Sequence, residues 1–197
     1  MRINFRKESL KGDSVMPKFT VRTVVAIGIG AALFFLLARF ASIPVFANTY
    51  ISFQYAVLGF LAALFGPIAG LLIGLIGHSL TDLSWGFGLW WSWILVSTLV
   101  GFAFGFVLKG IKVQEGEFDN KKVIARFAIW TSVIHLIGWG VIAPVLDILI
   151  YAEPADKVFV QGLIAGVSNA ITTAVIGSLL LFIYSKTRAK TGSLKKD

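Results

Sequence analysis

The sequence predicts an all-α membrane protein, a bundle of six transmembrane helices, on three observations. Of 197 residues, 57% are hydrophobic and only 14% charged, with mean hydropathy +0.84, so a water-soluble domain would expose far too much apolar surface. Long apolar segments alternate with short polar ones. Sixteen of the 18 Lys and Arg fall in three places: an N-terminal tail (Arg2, Arg6, Lys7, Lys11, Lys18, Arg22), a central loop and its edges (Lys109, Lys112, Lys121, Lys122, Arg126) and a C-terminal tail (Lys186, Arg188, Lys190, Lys195, Lys196). Only Arg39 and Lys157 lie elsewhere. Basic residues mark the cytoplasmic ends of membrane helices, so six spans with both termini and the central loop inside satisfy the charge pattern and the span count together.

The first span runs from about Val21 to Ile43 and is stopped by Pro44. Roughly 20 residues at a rise of about 1.5 Å match a hydrocarbon core of about 30 Å. Residues 45–52 read as a short polar-aromatic loop. Phe53 to Leu80 is almost unbroken apolar sequence interrupted by Gly66-Pro67, and a proline cannot sit inside one long helix without breaking it, so two short helices are expected, 53–65 and 67–80, joined by a tight turn. Helices this short persist in a membrane when they pack inside a bundle or line a cavity. Residues 81–90 form a Gly- and Trp-rich loop, Trp91–Leu108 the fourth span, and 109–122 a hydrophilic loop. The fifth span, about Val123–Ile150, contains Pro144 and is expected to kink or unwind there. After the loop YAEPAD, the last span covers roughly Val158–Tyr184. The chain thus divides into a cytoplasmic tail over 1–19, a six-helix transmembrane domain over 20–186 and a basic cytoplasmic tail over 187–197. The first 20 residues carry no apolar core of the signal-peptide kind, leaving Met1 or Met16 as the start.

Charge and composition also exclude function classes. The net charge of +8 lies at the ends of apolar segments and not in one stripe with interleaved aromatics, which points to membrane orientation and anionic lipid, not to nucleic acid. Zero Cys removes disulfides, thiol catalysis and Cys-ligated metal. No G-x-x-x-x-G-K-[ST], Gly-x-Ser-x-Gly or HExxH pattern occurs, and two His in separate spans make a weak metal case. The expectation is a binder without cofactor, metal or catalytic site.

Residues able to bind gather at the outer end. Asp82, Asp147, Glu153 and Asp156 fall in outer loops or helix ends, and His78 lies four residues before Asp82, on the same helical face if that helix continues. Trp85, Trp90, Trp91, Trp93 and Trp139 map to the same half, with Trp130 and His135 also within spans. An interfacial aromatic belt accounts for Trp90 and Trp91 as well as a pocket does. Ionisable groups at membrane depth are costly and face polar cavities, so His78, Asp82 and Asp147 point to a ligand pocket, with a structural His–carboxylate pair as the alternative. The polar candidates are Asn48, Gln54, His78, Asp82, Asp147, Glu153 and Asn169, and the stacking candidates Tyr50, Trp85, Trp93 and Trp139. Gly66, Gly70 and Gly74, Gly101 and Gly105, and Gly162 and Gly166 recur at every fourth residue and read as close helix packing. Ala26, Gly28, Gly30, Ala31 and Ala32 make a smooth patch in the first span that could dock a separate subunit.

The run VVAIGIGAALFFLLARFASIP at 24–44, FGPIAGLLIGLIGHSLTD at 65–82, WWSW at 90–93 and APVLDILIYAEPADKVFVQGLIAGVSN at 143–169 resemble the substrate-binding S component of an energy-coupling factor (ECF) vitamin transporter, over nearly all of Thr20–Ser193. Within that superfamily the chain is most similar to the riboflavin-type branch, with relatives assigned to hydroxymethylpyrimidine, pyridoxine or cobalamin. The resemblance implies a six-helix fold in a bacterial plasma membrane. It also implies a vitamin site on the outer side, built by the loops after spans one, three and five with spans four to six. Its partners would be a transmembrane coupling (T) subunit, docked on small residues of span one, and two cytoplasmic ATPases. The family's A-x-x-x-A motif has two nearest matches here, Ala26/Gly30 and Gly28/Ala32, on different faces. The metal-uptake relatives begin Met-His close to the first span; this chain begins Met-Arg behind a long tail, which argues against nickel or cobalt. Two other classes stay open: a stand-alone proton-coupled carrier using His78, Asp82 and Asp147, which would transport without ATPases, and a ligand-free scaffold.

Overall fold

The computed structural model describes residues 20–46, 48–86, 88–108, 118 and 120–187. The tail assigned to 1–19, nearly all of that assigned to 187–197, and most of the loop at 109–122 therefore lie outside the described residues. Six apolar helices dominate: α1 (Val21–Phe40), α2 (Gln54–Phe65), α3 (Pro67–Trp85), α4 (Trp91–Val107), α5 (Lys121–Tyr151) and α6 (Ala155–Thr187). Four of them, α1, α3, α5 and α6, are long and apolar enough to cross a membrane, whereas α2 and α4 have only 12 and 17 residues.

Most boundaries follow from local chemistry. Thr20 caps α1 by accepting a hydrogen bond on Oγ1 from the Thr23 N–H at 3.2 Å. The helix stops at Phe40, three residues earlier than expected, because Ile43–Phe46 (β1) turns back on Thr49–Ile51 (β2) as an antiparallel hairpin with Pro44 opposite Tyr50. The stretch expected to be a loop is thus an ordered hairpin, with Asn48 at φ 51° in its turn, a conformation that Asn tolerates. Gly66, at φ 87°, ends α2, and Pro67 opens α3, where its missing N–H costs no helical hydrogen bond. That helix continues to Trp85, five residues past the expected end, so the Gly- and Trp-rich loop expected from residue 81 shrinks and α3 becomes long enough to cross a membrane.

The long helices α5 and α6 each contain one π turn, Gly138–Ile142 and Thr173–Gly177. The expected irregularity at Pro144 falls just before it: the wider turn ends at Ile142, and regular helix resumes with Pro144 near its start, where a proline ring fits.

The core shows what the glycine spacing is for. A Cβ on Gly70 would stand 2.1 Å from the carbonyl oxygen of Gly101, and one on Gly74 2.4 Å from that of Ser97, so α3 and α4 touch backbone to backbone. Small residues allow this approach, and dispersion contact holds helices together in a medium that gives little hydrophobic drive. Gly162 meets the Trp139 carbonyl in the same way, at 2.2 Å.

The smooth patch on α1 divides into two faces. Gly30 and Ala31 are buried, and a Cβ on Gly30 would strike Ile73 and Leu61 at 2.7 Å. Gly28 and Ala32 are exposed, with nothing within 4 Å of a Cβ on Gly28.

Candidate functional site

At the end of the bundle where α1 and α3 finish and α4 and α6 begin, the helices and the hairpin enclose a cavity of about 590 Å³. Hairpin and α2 supply Asn48, Tyr50 and Gln54, and the last turns of α3 supply His78, Asp82 and Trp85. Trp93 comes from α4, Trp139 and Asp147 from α5, Glu153 from the following turn and Asn169 from α6. Every residue that the sequence singled out for a pocket therefore lines this one cavity.

A polar chain ties its walls together. Tyr55 Oη lies 2.6 Å from Ser97 Oγ, which also meets His78 Nδ1. His78 Nε2 is 3.5 Å from Asp82 Oδ1, the pair expected if α3 continued. Asp82 Oδ2 accepts the backbone N–H of Trp90 at 2.9 Å, and the indole N–H of Trp90 reaches Asp147 Oδ1 at 2.8 Å. Asp147 is 2% exposed and accepts two further hydrogen bonds, from Ser92 Oγ and from Trp93 Nε1 at 2.8 Å. Its charge is thus held by three donors that it in turn orients, which is how a buried carboxylate is tolerated.

The aromatic walls are positioned with equal care. Tyr50 stacks on Trp85 at 5.6 Å, and the Arg39 guanidinium sits 4.1 Å from the centre of the same indole. Trp93 and Trp139 approach at 5.1 Å. Trp139 donates from Nε1 to His135 Nδ1 at 3.2 Å, which leaves the His135 proton on Nε2 to bond Thr173 Oγ1 at 2.9 Å, so the two π turns are linked through one imidazole. At the rim, Lys157 Nζ meets Glu153 at 2.6 Å.

Sequence reasoning missed several lining residues: Thr49, Ser52, Tyr55, Thr81, Lys157 and Gln161, with Ser97 just behind the wall. Gln161 carried a usable signal, since Gln161, Ala165 and Asn169 fall at i, i+4 and i+8 on one face of α6. Tyr55 carried none, because the turn of α2 that directs it inward is set by packing. Trp90, equally well read as a belt residue, lines the cavity and stacks on Tyr151 at 4.1 Å, whereas Trp91 is 47% exposed.

Residues 18–186 match the family model described as ECF-type riboflavin transporter, S component. A UPF0397 protein of Exiguobacterium sp. is 54% identical over 183 residues, 92% of this chain and 100% of the relative. UPF0397 proteins of Lacticaseibacillus casei and Enterococcus faecalis are 49% and 48% identical over 90% and 91% of this chain, and 96% and 98% of their own lengths.

Proposed function

The chain belongs to the ECF-type riboflavin transporter S-component family, and from that premise we propose that it is the high-affinity vitamin-binding subunit of an ATP-driven uptake transporter. Its substrate would be riboflavin or a pyrimidine or pyridine vitamin such as hydroxymethylpyrimidine or pyridoxine. The observation that carries the reading is the cavity of about 590 Å³, within the size range of small-molecule sites, walled by indole faces with polar groups between them. In this reading the short α2 and α4 complete six crossings, the termini face the cytoplasm and the cavity opens outward, an orientation that the placement of the basic residues favours.

A T subunit and two ATPases would then tilt the whole subunit to deliver the vitamin. The exposed pair Gly28/Ala32 suits docking of the T subunit, while Ala26/Gly30 does not, since Gly30 already meets α2 and α3. A self-sufficient proton relay is the weaker reading. Asp147 connects to the His78–Asp82 pair through N–H groups of Trp90, which do not exchange protons in a relay.

Mass spectrometry of small molecules co-purified with the protein tests the binding claim, with a heteroaromatic vitamin expected. Uptake by proteoliposomes holding the chain alone, without T subunit or ATPases, would overturn the coupled mechanism. Gly28→Leu and Ala32→Leu should bind the vitamin normally yet fail to support uptake by the full assembly; wild-type uptake in both would remove that face as the docking site.

A further inference from the structure

Between Arg39 and Asp82 the sequence carries no Asp, Glu, Lys or Arg. The hairpin β1–β2 lies inside that uncharged stretch. A strand at the edge of a sheet presents unpaired N–H and C=O groups, and in water such edges are guarded by charge, proline or a covering element. No third strand pairs with β1 among the described residues, and apart from Pro44 its residues are large and apolar. Ile43 is 57% exposed, Val45 43% and Phe46 42%. Because side chains alternate across a strand, β1 shows apolar groups on both of its faces. Its partner strand differs: Thr49 is buried, and Thr49 and Tyr50 line the cavity.

The position of β1 relative to a bilayer follows from α1. That helix has 20 residues and rises about 30 Å, the thickness of the hydrocarbon core, so its ends stand at the two boundaries. Its exposed side is apolar from Val21 through Val25, Ile29, Leu33 and Leu36 to Phe40, and β1 begins three residues later. The strand therefore starts at a membrane boundary and prolongs the apolar surface of the span. Aromatic and basic groups at the same level agree: Tyr50, opposite Pro44, stacks on Trp85, and Arg39 covers that indole. Such amphipathic side chains favour the interface. Depth is limited from the other side, since the unpaired backbone of an edge strand needs water or headgroups and cannot enter the hydrocarbon core.

We propose that β1 is inserted in the headgroup–acyl boundary of the leaflet at the cavity end, so that lipid backs the hairpin wall of the cavity from outside. Lipid fits this surface better than a protein partner does, because the surface continues the apolar side of a membrane span and offers no charged side chain to specify a protein.

The chain has no Cys, so single-Cys variants of the full chain can be labelled cleanly. They are placed in lipid nanodiscs, where both membrane faces meet solvent. Transfer of one large apolar side chain out of water is worth about tenfold or more, so a water-soluble maleimide should modify Val45→Cys and Phe46→Cys about tenfold more slowly than Asp156→Cys, at the exposed start of α6. Spin labels at 45 and 46 should collide with oxygen, which concentrates in lipid, nearly as often as a label at Leu33→Cys. Adding Phe46→Asp to Val45→Cys should bring the maleimide rate close to that at position 156, because a carboxylate draws the strand into water. Rates at 45 and 46 equal to that at 156 would put β1 in water and overturn the proposal. Slow modification combined with rare oxygen collisions would mean that protein, a second copy of this chain, covers the strand, and would overturn it as well.

Discussion

The seam between α3 and α4 and the cavity wall beside it solve one problem in opposite ways. Along the seam, glycines remove side chains until backbones touch, with Gly70 against Gly101 and Gly74 against Ser97, and hold by dispersion. Around the cavity, large side chains are kept, and each is fixed by a partner: Trp90 and Trp93 by Asp147, Trp139 by His135. A seam of the first kind is rigid and featureless, whereas a wall of the second kind offers shaped surfaces to a ligand. The two meet on the same helices, so the seam fixes the frame in which the indoles stand.

The largest effect should come from breaking the seam. Gly70→Leu or Gly101→Leu should yield no folded protein, and Gly70→Ala should cost about 3 kcal/mol, the upper end for overpacking, because the obstruction is backbone. Unfolding in mixed micelles measures this, and a wild-type midpoint for Gly70→Ala would mean that the helices separate freely.

Next is Asp147→Ala, which leaves two indole N–H groups and a Ser hydroxyl without their acceptor and should cost at least about 2 kcal/mol. Tryptophan emission should shift as the rings are released; unchanged emission and stability would show that packing alone holds them. Trp93→Ala should weaken vitamin binding by on the order of 1 kcal/mol beyond the lost area, read by titration, with little change in fold. Smallest is Gly28→Ala, which meets nothing within 4 Å. It should be neutral or stabilise by up to about 1 kcal/mol through better helix propensity, and a marked loss in the isolated chain would mean that this face packs internally.

Much of the site was legible because ionisable residues and indoles stand out against apolar sequence, and their positions along the spans place them at one end. His78 and Asp82 met as helical spacing required once α3 ran to Trp85. Ser52 and Tyr55 were not legible, since a hydroxyl or phenol beside an apolar helix is unremarkable until the hairpin and α2 are placed against α5.

The sequence by itself determined the helical membrane class, the break at Gly66-Pro67 and the end of the molecule where the cavity residues gather. Bilayer thickness and the cost of charge act on each segment separately, so these can be read one segment at a time. Tertiary structure alone decided which faces turn inward. Gly30 went to the core and Gly28 to the surface, and Asp147 became the acceptor for three donors contributed by residues 90–93. A helix apolar on all sides carries no stripe to mark its buried face, and its rotation is fixed only when neighbouring helices supply the grooves and hydrogen-bond partners it must fit.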